Sequence, residues 1–457
     1  MEIARIIFIL TLFVMGVGGG FAYGIYSGWR ENSTFEFVRE ATAQATIAVN
    51  SVYESAQSTA DQAALHRVSL RGRTPGVGIN TAPDQDSLVL LTGFFENGPG
   101  MKLLRRDGTT VAEWTALYYD VFPDPQHMYR PPFNNFHIDL HGSLIDPDGS
   151  VVFNFEYGGS VKMDRCGEVL WTVERPTHHS IEPREAGGYW IVGGFDRFDI
   201  EATEFFPLSA SRPAGSKIRE DTVMAVSADG EILVERSVPE ILWGSGMEAV
   251  FSATGLNFDI NTFEDQEVIH LNDITELSSD LADAFPMFEA GDLAMSLRDY
   301  NLIVVVDPDD WRVKWYQTGP WVRQHDPEFN PTGQITIFNN NLYWLGGGGT
   351  PMGEVTRGSN IIAVDPATGE TEILFGDREG EAFRTTVRGK HERTPAGGFI
   401  LTSHLDALAL EFNADREIVW TYVNAIDERS AIKLTDAQVH AADYFTVTDW
   451  SCPVAAN

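Results

Sequence analysis

The chain has 457 residues, more than one ordinary compact core holds, and its 66 acidic against 32 basic residues give a formal net charge of −34. So acidic a body is excluded from binding nucleic acid or anionic lipid, which need clustered Lys and Arg; it fits a solvated surface in a salty medium. Apolar residues make up 43%, with 11 Trp, so the chain can bury a large core.

At the amino terminus, Ile6 to Trp29 carry no charge. That run matches the roughly 20 residues of a membrane span and exceeds the roughly 7–15 residues of a cleavable signal core. A transmembrane signal anchor is therefore expected over 1–30. Gly16, Gly20, Gly24 and Gly28 recur every fourth residue. They form one helix face against which another transmembrane helix, its own copy or part of a membrane complex, is expected to pack. Arg5 ahead of the run, against Arg30 and Glu31 after it, orients the bulk of the chain to the periplasmic side of an inner membrane. Residues 31–84 follow as a juxtamembrane helix acting as a stalk, then a linker.

From residue 85 the texture changes to short strands rich in Val, Ile, Phe and Tyr, separated by turn residues. An acidic turn flanked by strands, the second often ending in Trp, recurs six times. It starts at Arg106, Met163, Ser227, Asp307, Asp365 and Asn413, with the tryptophans at Trp114, Trp171, Trp315 and Trp420. Six units between 85 and 425, each long enough for four strands, predict an all-β, six-bladed β-propeller. Unequal unit lengths disfavour a solenoid. The recurrent Trp is expected to pack blade against blade. Residues 426–457 form a closing segment expected to pack back on the first blades. Its Cys452 and the distant Cys166 are the only cysteines, so no C-x-x-C site exists; a disulfide and two free thiols are equally open.

A histidine precedes several of these units. His141, His179 and His325 each stand eight residues before a glycine, at Gly149, Gly187 and Gly333; His270 and His391 are looser copies. In a ring, such histidines meet at one end of the central channel. His270 and Asn272 share a strand face by period-two alternation, and Arg298 supplies a fork-shaped cation suited to a tetrahedral oxyanion. A metal site is disfavoured because the motif lacks carboxylates and Arg298 repels a cation. The remaining readings are an anion-transfer site and, for His141 and His391 above all, histidines that simply bond blade to blade.

At these residues the chain resembles the bacterial arylsulfotransferases that use aryl sulfates rather than a nucleotide donor, here in a membrane-anchored form. The resemblance rests on His178-His179-Ser-Ile, His270-Leu-Asn272, Ser296-Leu-Arg298-Asp-Tyr-Asn301, and Gln324-His325-Asp326 with Gly333 to Asn340. It implies a six-bladed propeller with a central site and no cofactor. By that resemblance His325 takes the sulfuryl group as a sulfohistidine, and His270, Asn272 and Arg298 stabilise the sulfate charge. His179 stands near the acceptor, with His178 as its substitute, and His178 and Asn340 belong to the substrate site. The expected partners are a phenolic sulfate donor and a phenol acceptor. The alternative is a catalytically inactive anchored propeller serving as a structural or interaction subunit of a membrane complex.

Overall fold

Each acidic turn joins the third and fourth strands of a four-stranded antiparallel sheet, and six such sheets form an all-β, six-bladed propeller. The computed structural model describes residues 66–128, 131–197, 218–252, 269–342 and 358–452, with scattered helical residues between 18 and 34. Two units are distinguished, Met1–Gln62 with Ala210–Gly215, and Ala63–Ser209 with Ser216–Asn457; the propeller is the second.

From the axis outward, blade two is Leu140–Ile145, Val151–Phe155, Gly159–Met163 and Val169–Val173. Blade three is Ile181–Pro183, Tyr189–Arg197, Ile218–Val226 and Ile232–Ser237. Blade four is Leu271–Glu276, Leu293–Leu297, Leu302–Asp307 and Arg312–Thr318. Blade five is His325–Phe329, Ile335–Asn339, Asn360–Val364 and Thr371–Phe375. Blade six runs His391–Arg393, Phe399–Ser403, Leu408–Phe412 and Ile418–Val423, with Gly76–Asn80 added at its outer edge. Blade one takes its innermost strand, Leu434–His440, from the end of the chain, followed by Leu88–Phe95, Gly98–Arg105 and Thr110–Thr115. The ring is thus closed by strands more than three hundred residues apart in sequence.

A blade has a neighbour on each face, which explains strands that lack apolar–polar alternation. All eight residues of Leu88–Phe95 and all five of Val151–Phe155 are buried, as expected for strands covered on both sides. Every pair of adjacent blades shares its own apolar seam. Each fully buried Leu, Val, Ile or Phe in them contributes roughly 1.5–3 kcal/mol. The fourth strands, by contrast, leave Val169, Leu170 and Leu233 exposed at the rim.

The tryptophans tie these seams together. The Trp114 indole N–H donates to the carbonyl of Asp164, in the acidic turn of blade two, at 3.0 Å. Trp171 does the same to Ala228 of blade three at 2.9 Å, and Trp420 to Arg106 of blade one at 2.9 Å. The recurring Trp therefore reads the turn of the next blade, one polar bond set in an apolar seam. Cys166, in the same turn of blade two, is joined by a disulfide to Cys452 beyond the closing strand.

Among the described residues no helix is long and apolar enough to cross a membrane. The expected single-pass placement in an inner membrane is corrected accordingly. A span requires about 20 consecutive apolar helical residues, and no described helix is that long and apolar. Gly16 and Gly28 of the expected glycine face, and the stalk, lie outside the described residues, as do 198–217 and 253–268 within the longer connections of blades three and four.

Candidate functional site

The inner strands enter the channel from one end, and their register shows which residues are equivalent. Ile145, Pro183, Glu276, Phe329 and Arg393 pair with the first residue of the second strand in their blades. Counting back four residues gives His141, His179, Asn272 and His325, then Gly389 in blade six. Asn272 thus occupies in blade four the place that imidazoles hold elsewhere, and His270 stands two residues ahead of it. His391 falls two residues too far along. Its Nδ1 lies 2.8 Å from Asp326 Oδ2 and its Nε2 2.9 Å from Thr336 Oγ1, so it bonds blade six to blade five.

Five rings meet at this end of the channel. The His179 ring centroid is 3.8 Å from that of His141, 4.9 Å from His178, 5.0 Å from His270 and 5.9 Å from His325. Blades two and three approach closely enough for this because residue 142 is glycine. A Cβ there would stand 1.7 Å from the His179 carbonyl oxygen, and its φ is +89°, a conformation open to glycine without steric cost. His179, His270 and Asp326 adopt left-handed backbone at φ of 54°, 57° and 56°, each costing of order 1–2 kcal/mol for an L-residue. Such costs concentrate where a fold must aim side chains at a site.

His325 is held from two sides. Its Nδ1 is 2.6 Å from Asn340 Oδ1. The Asn340 amide donates to the carbonyls of Thr385 at 3.1 Å and Arg388 at 2.6 Å. A flipped amide would set its oxygen against two carbonyls, so Oδ1 must accept and His325 Nδ1 must donate. Behind it, Asn272 donates to the Gln324 carbonyl at 2.7 Å. Gln324 in turn donates to Ser296 Oγ, Leu297 O and Leu302 O. Asn272 therefore spends one N–H on placing the residue before His325, and its buried Oδ1 has no hydrogen-bond partner among the described residues.

Three of the rings are kept neutral. His325 lies well below the ordinary imidazole value, by burial first and by the Arg298 charge second. His179 is lowered by burial and then by the surrounding imidazoles. His141 is pushed down to about 3 by burial and by Arg388. Arg298 Nε donates to Asp299 at 3.1 Å, and Arg298 N–H donates to the His270 carbonyl at 3.1 Å. Neutral imidazoles beside a guanidinium suit an anionic tetrahedral group. Among the described residues no cluster of His, Cys, Asp and Glu fits a metal ion.

Three features here carried no sequence signal. Asp221 faces His178 Nε2 at 3.4 Å. Arg388 holds Asp139 at 2.5 Å and Glu156 at 2.6 Å beside His141. Tyr157 sets its ring 4.5 Å from His178 and beneath Arg219 at 3.9 Å. Asp221 comes from a third strand and the others mostly from turns and loops, where no repeat marks them.

Fold and site together define a six-bladed propeller with an imidazole–arginine centre at one mouth of its channel. The arylsulfotransferase (ASST) family model matches residues 136–425, well over half of the chain. The protein belongs to the arylsulfotransferase family. No curated protein matches it. Among solved structures, it is similar to a Bacteroides caccae protein of unknown function at 10% identity and TM-score 0.44, covering 77% of this chain and 98% of that one. A streptogramin B lyase aligns at 12% identity and TM-score 0.40, covering 82% and 97%. The Neurospora crassa Pan2 WD40 domain aligns at 8% and 0.38, covering 78% and 84%.

Proposed function

We propose that the protein moves a sulfuryl group from an aryl sulfate to a phenol, with His325 as the nucleophile and a sulfohistidine as intermediate. The observation that carries this reading is the bond from His325 Nδ1 to Asn340. With that nitrogen donating, and the ring neutral, the lone pair lies on Nε2, the nitrogen left to attack sulfur. In the donor half, a bond forms from His325 Nε2 to sulfur while the sulfur–oxygen bond breaks and the phenolate leaves. In the acceptor half, a phenol oxygen takes the sulfur and the pair returns to Nε2. Arg298 and His270 stand where charge on the travelling sulfuryl oxygens is stabilised, and Asn272 fixes the backbone entering His325.

The test is incubation of the purified protein with a chromogenic aryl sulfate and a phenol acceptor, alongside His325→Ala. Release of coloured phenol is expected, falling by about 10⁴-fold or more in the variant, as for loss of other enzymic nucleophiles. No release rejects sulfuryl transfer and leaves a catalytically silent propeller; release that survives the substitution rejects His325 as the nucleophile.

A further inference from the structure

The imidazole pair entering blade three reaches a carboxylate that sulfuryl transfer through His325 has not used. Asp221, on the strand Ile218–Val226, is fully buried. Its Oδ2 accepts the His270 backbone N–H at 2.9 Å, and its Oδ1 faces His178 Nε2 at 3.4 Å. A nitrogen lone pair turned toward a carboxylate at that distance is repelled, so His178 carries its proton on Nε2. Its Nδ1 then offers the lone pair, and Nδ1 of His179 is 2.6 Å away. Two ring nitrogens that close share one proton, which His179 must supply from Nδ1. The His179 lone pair is left on Nε2. The other rings around it are His141, His270 and His325, and the Arg298 charge acts on His325.

Building on the sulfuryl-transfer reading, we propose that Asp221, acting through His178, is the positioning residue that makes His179 the general base for the acceptor phenol. The phenol O–H gives its proton to His179 Nε2 as its oxygen bonds to sulfur, and the sulfur–Nε2 bond to His325 breaks. The positive charge formed on His179 is shared with His178 through the common proton and offset by Asp221. In the donor half the phenolate leaves with its negative charge and takes its proton from solvent, and after the acceptor half His179 Nε2 returns its proton to solvent. His179 thus serves as the base of the acceptor half while His325 carries the sulfuryl group.

The experiment uses the full chain and Asp221→Asn. Asparagine keeps an acceptor for the His270 N–H but turns an amide N–H toward His178, which inverts both tautomers and moves the His179 proton to Nε2. A nitrophenyl sulfate leaves without needing a proton, so the burst of nitrophenol is retained. Transfer to phenol falls by about 10²–10⁴-fold, and a more acidic chlorinated phenol recovers most of it. Nitrogen-15 spectra of the histidine-labelled protein show His179 changing tautomer, a readout that needs no turnover. His178→Leu removes the acceptor of the shared proton, gives the same split, and stands in where Asp221→Asn does not fold. Equal loss of burst and transfer, or an unchanged His179 tautomer, overturns the relay. Absence of any burst from the unaltered protein overturns sulfuryl transfer instead, and the tautomer spectrum then decides the relay alone.

Discussion

Two layers of the channel are built from the same six inner strands and hold opposite chemistry. At the mouth stand imidazoles with Arg298. One to three residues further along lie Glu182, Asp273, Asp326, Glu328 and Glu392, gathered with Asp436 of the blade-one inner strand around the Lys390 ammonium. Lys390 Nζ is 2.8 Å from Glu182 and 2.8 Å from Asp326, and 3.7 Å from Asp273. Burial raises Asp273, Glu328 and Glu392 well above ordinary carboxyl values. Asp326 goes the other way, held low by Lys390 and His391 against its own burial. A strand rises about 3.3 Å per residue, so the character of the channel reverses within one or two steps. The difference teaches that depth along a strand, more than residue type, separates a site for an anion from a structural plug.

If the layers are separable, a change in one leaves the other alone. The largest effect is expected from Lys390→Met, which leaves buried carboxylates without their cation. It should cost about 3–5 kcal/mol of stability, read by denaturant unfolding at neutral pH, while burst amplitude per folded molecule stays unchanged. Coupled losses of stability and burst would merge the two layers into one. Asn340→Ala tests the converse: it frees the His325 ring, and the donor half-reaction should slow by about 10²-fold. Rapid-quench measurement of the burst, taken per folded molecule because two buried carbonyls also lose their donor, checks this.

The smallest effect is a difference in slope with pH. Asp273, Glu328 and Glu392 hold protons in the fold that the unfolded chain releases above the ordinary carboxyl values of 3.8 and 4.5. Their stability is present below those values and is lost as pH climbs through the raised ones. His141, His179 and His325 behave oppositely. Their contribution is present above the ordinary value of 6.5 and is lost as pH falls through the lowered ones. Unfolding free energy followed from pH 4 to 8 should therefore flatten on its alkaline side in Glu392→Gln. The acid side should flatten in His141→Gln. The same limb changing in both variants would contradict the assignment of slopes to layers.

How much of this was legible in sequence follows from what repeats. The acidic turns and tryptophans recur because each blade meets its neighbour in the same way, and they carried the blade count. His141, His179 and His325 kept their spacing to Gly149, Gly187 and Gly333 because strand register fixes it. The slip of His391 by two residues was invisible, since only pairing with Phe399–Ser403 reveals its register. Asp221 and the role of Asn340 were equally hidden. Their partners come from other strands or from loops, and a contact between elements leaves no periodic trace in one chain. The amino-terminal expectation failed differently: an uncharged run measures length and hydropathy, and the described residues contain no span.

The bridge between Cys166 and Cys452 has a topological consequence. It closes a covalent loop 286 residues in sequence span, which runs from the third turn of blade two through blades three to six and into the closing strand of blade one. The chain between these cysteines forms a hoop that encircles most of the channel. A single backbone cut anywhere within the hoop leaves two pieces in one molecule, and only reduction lets them part.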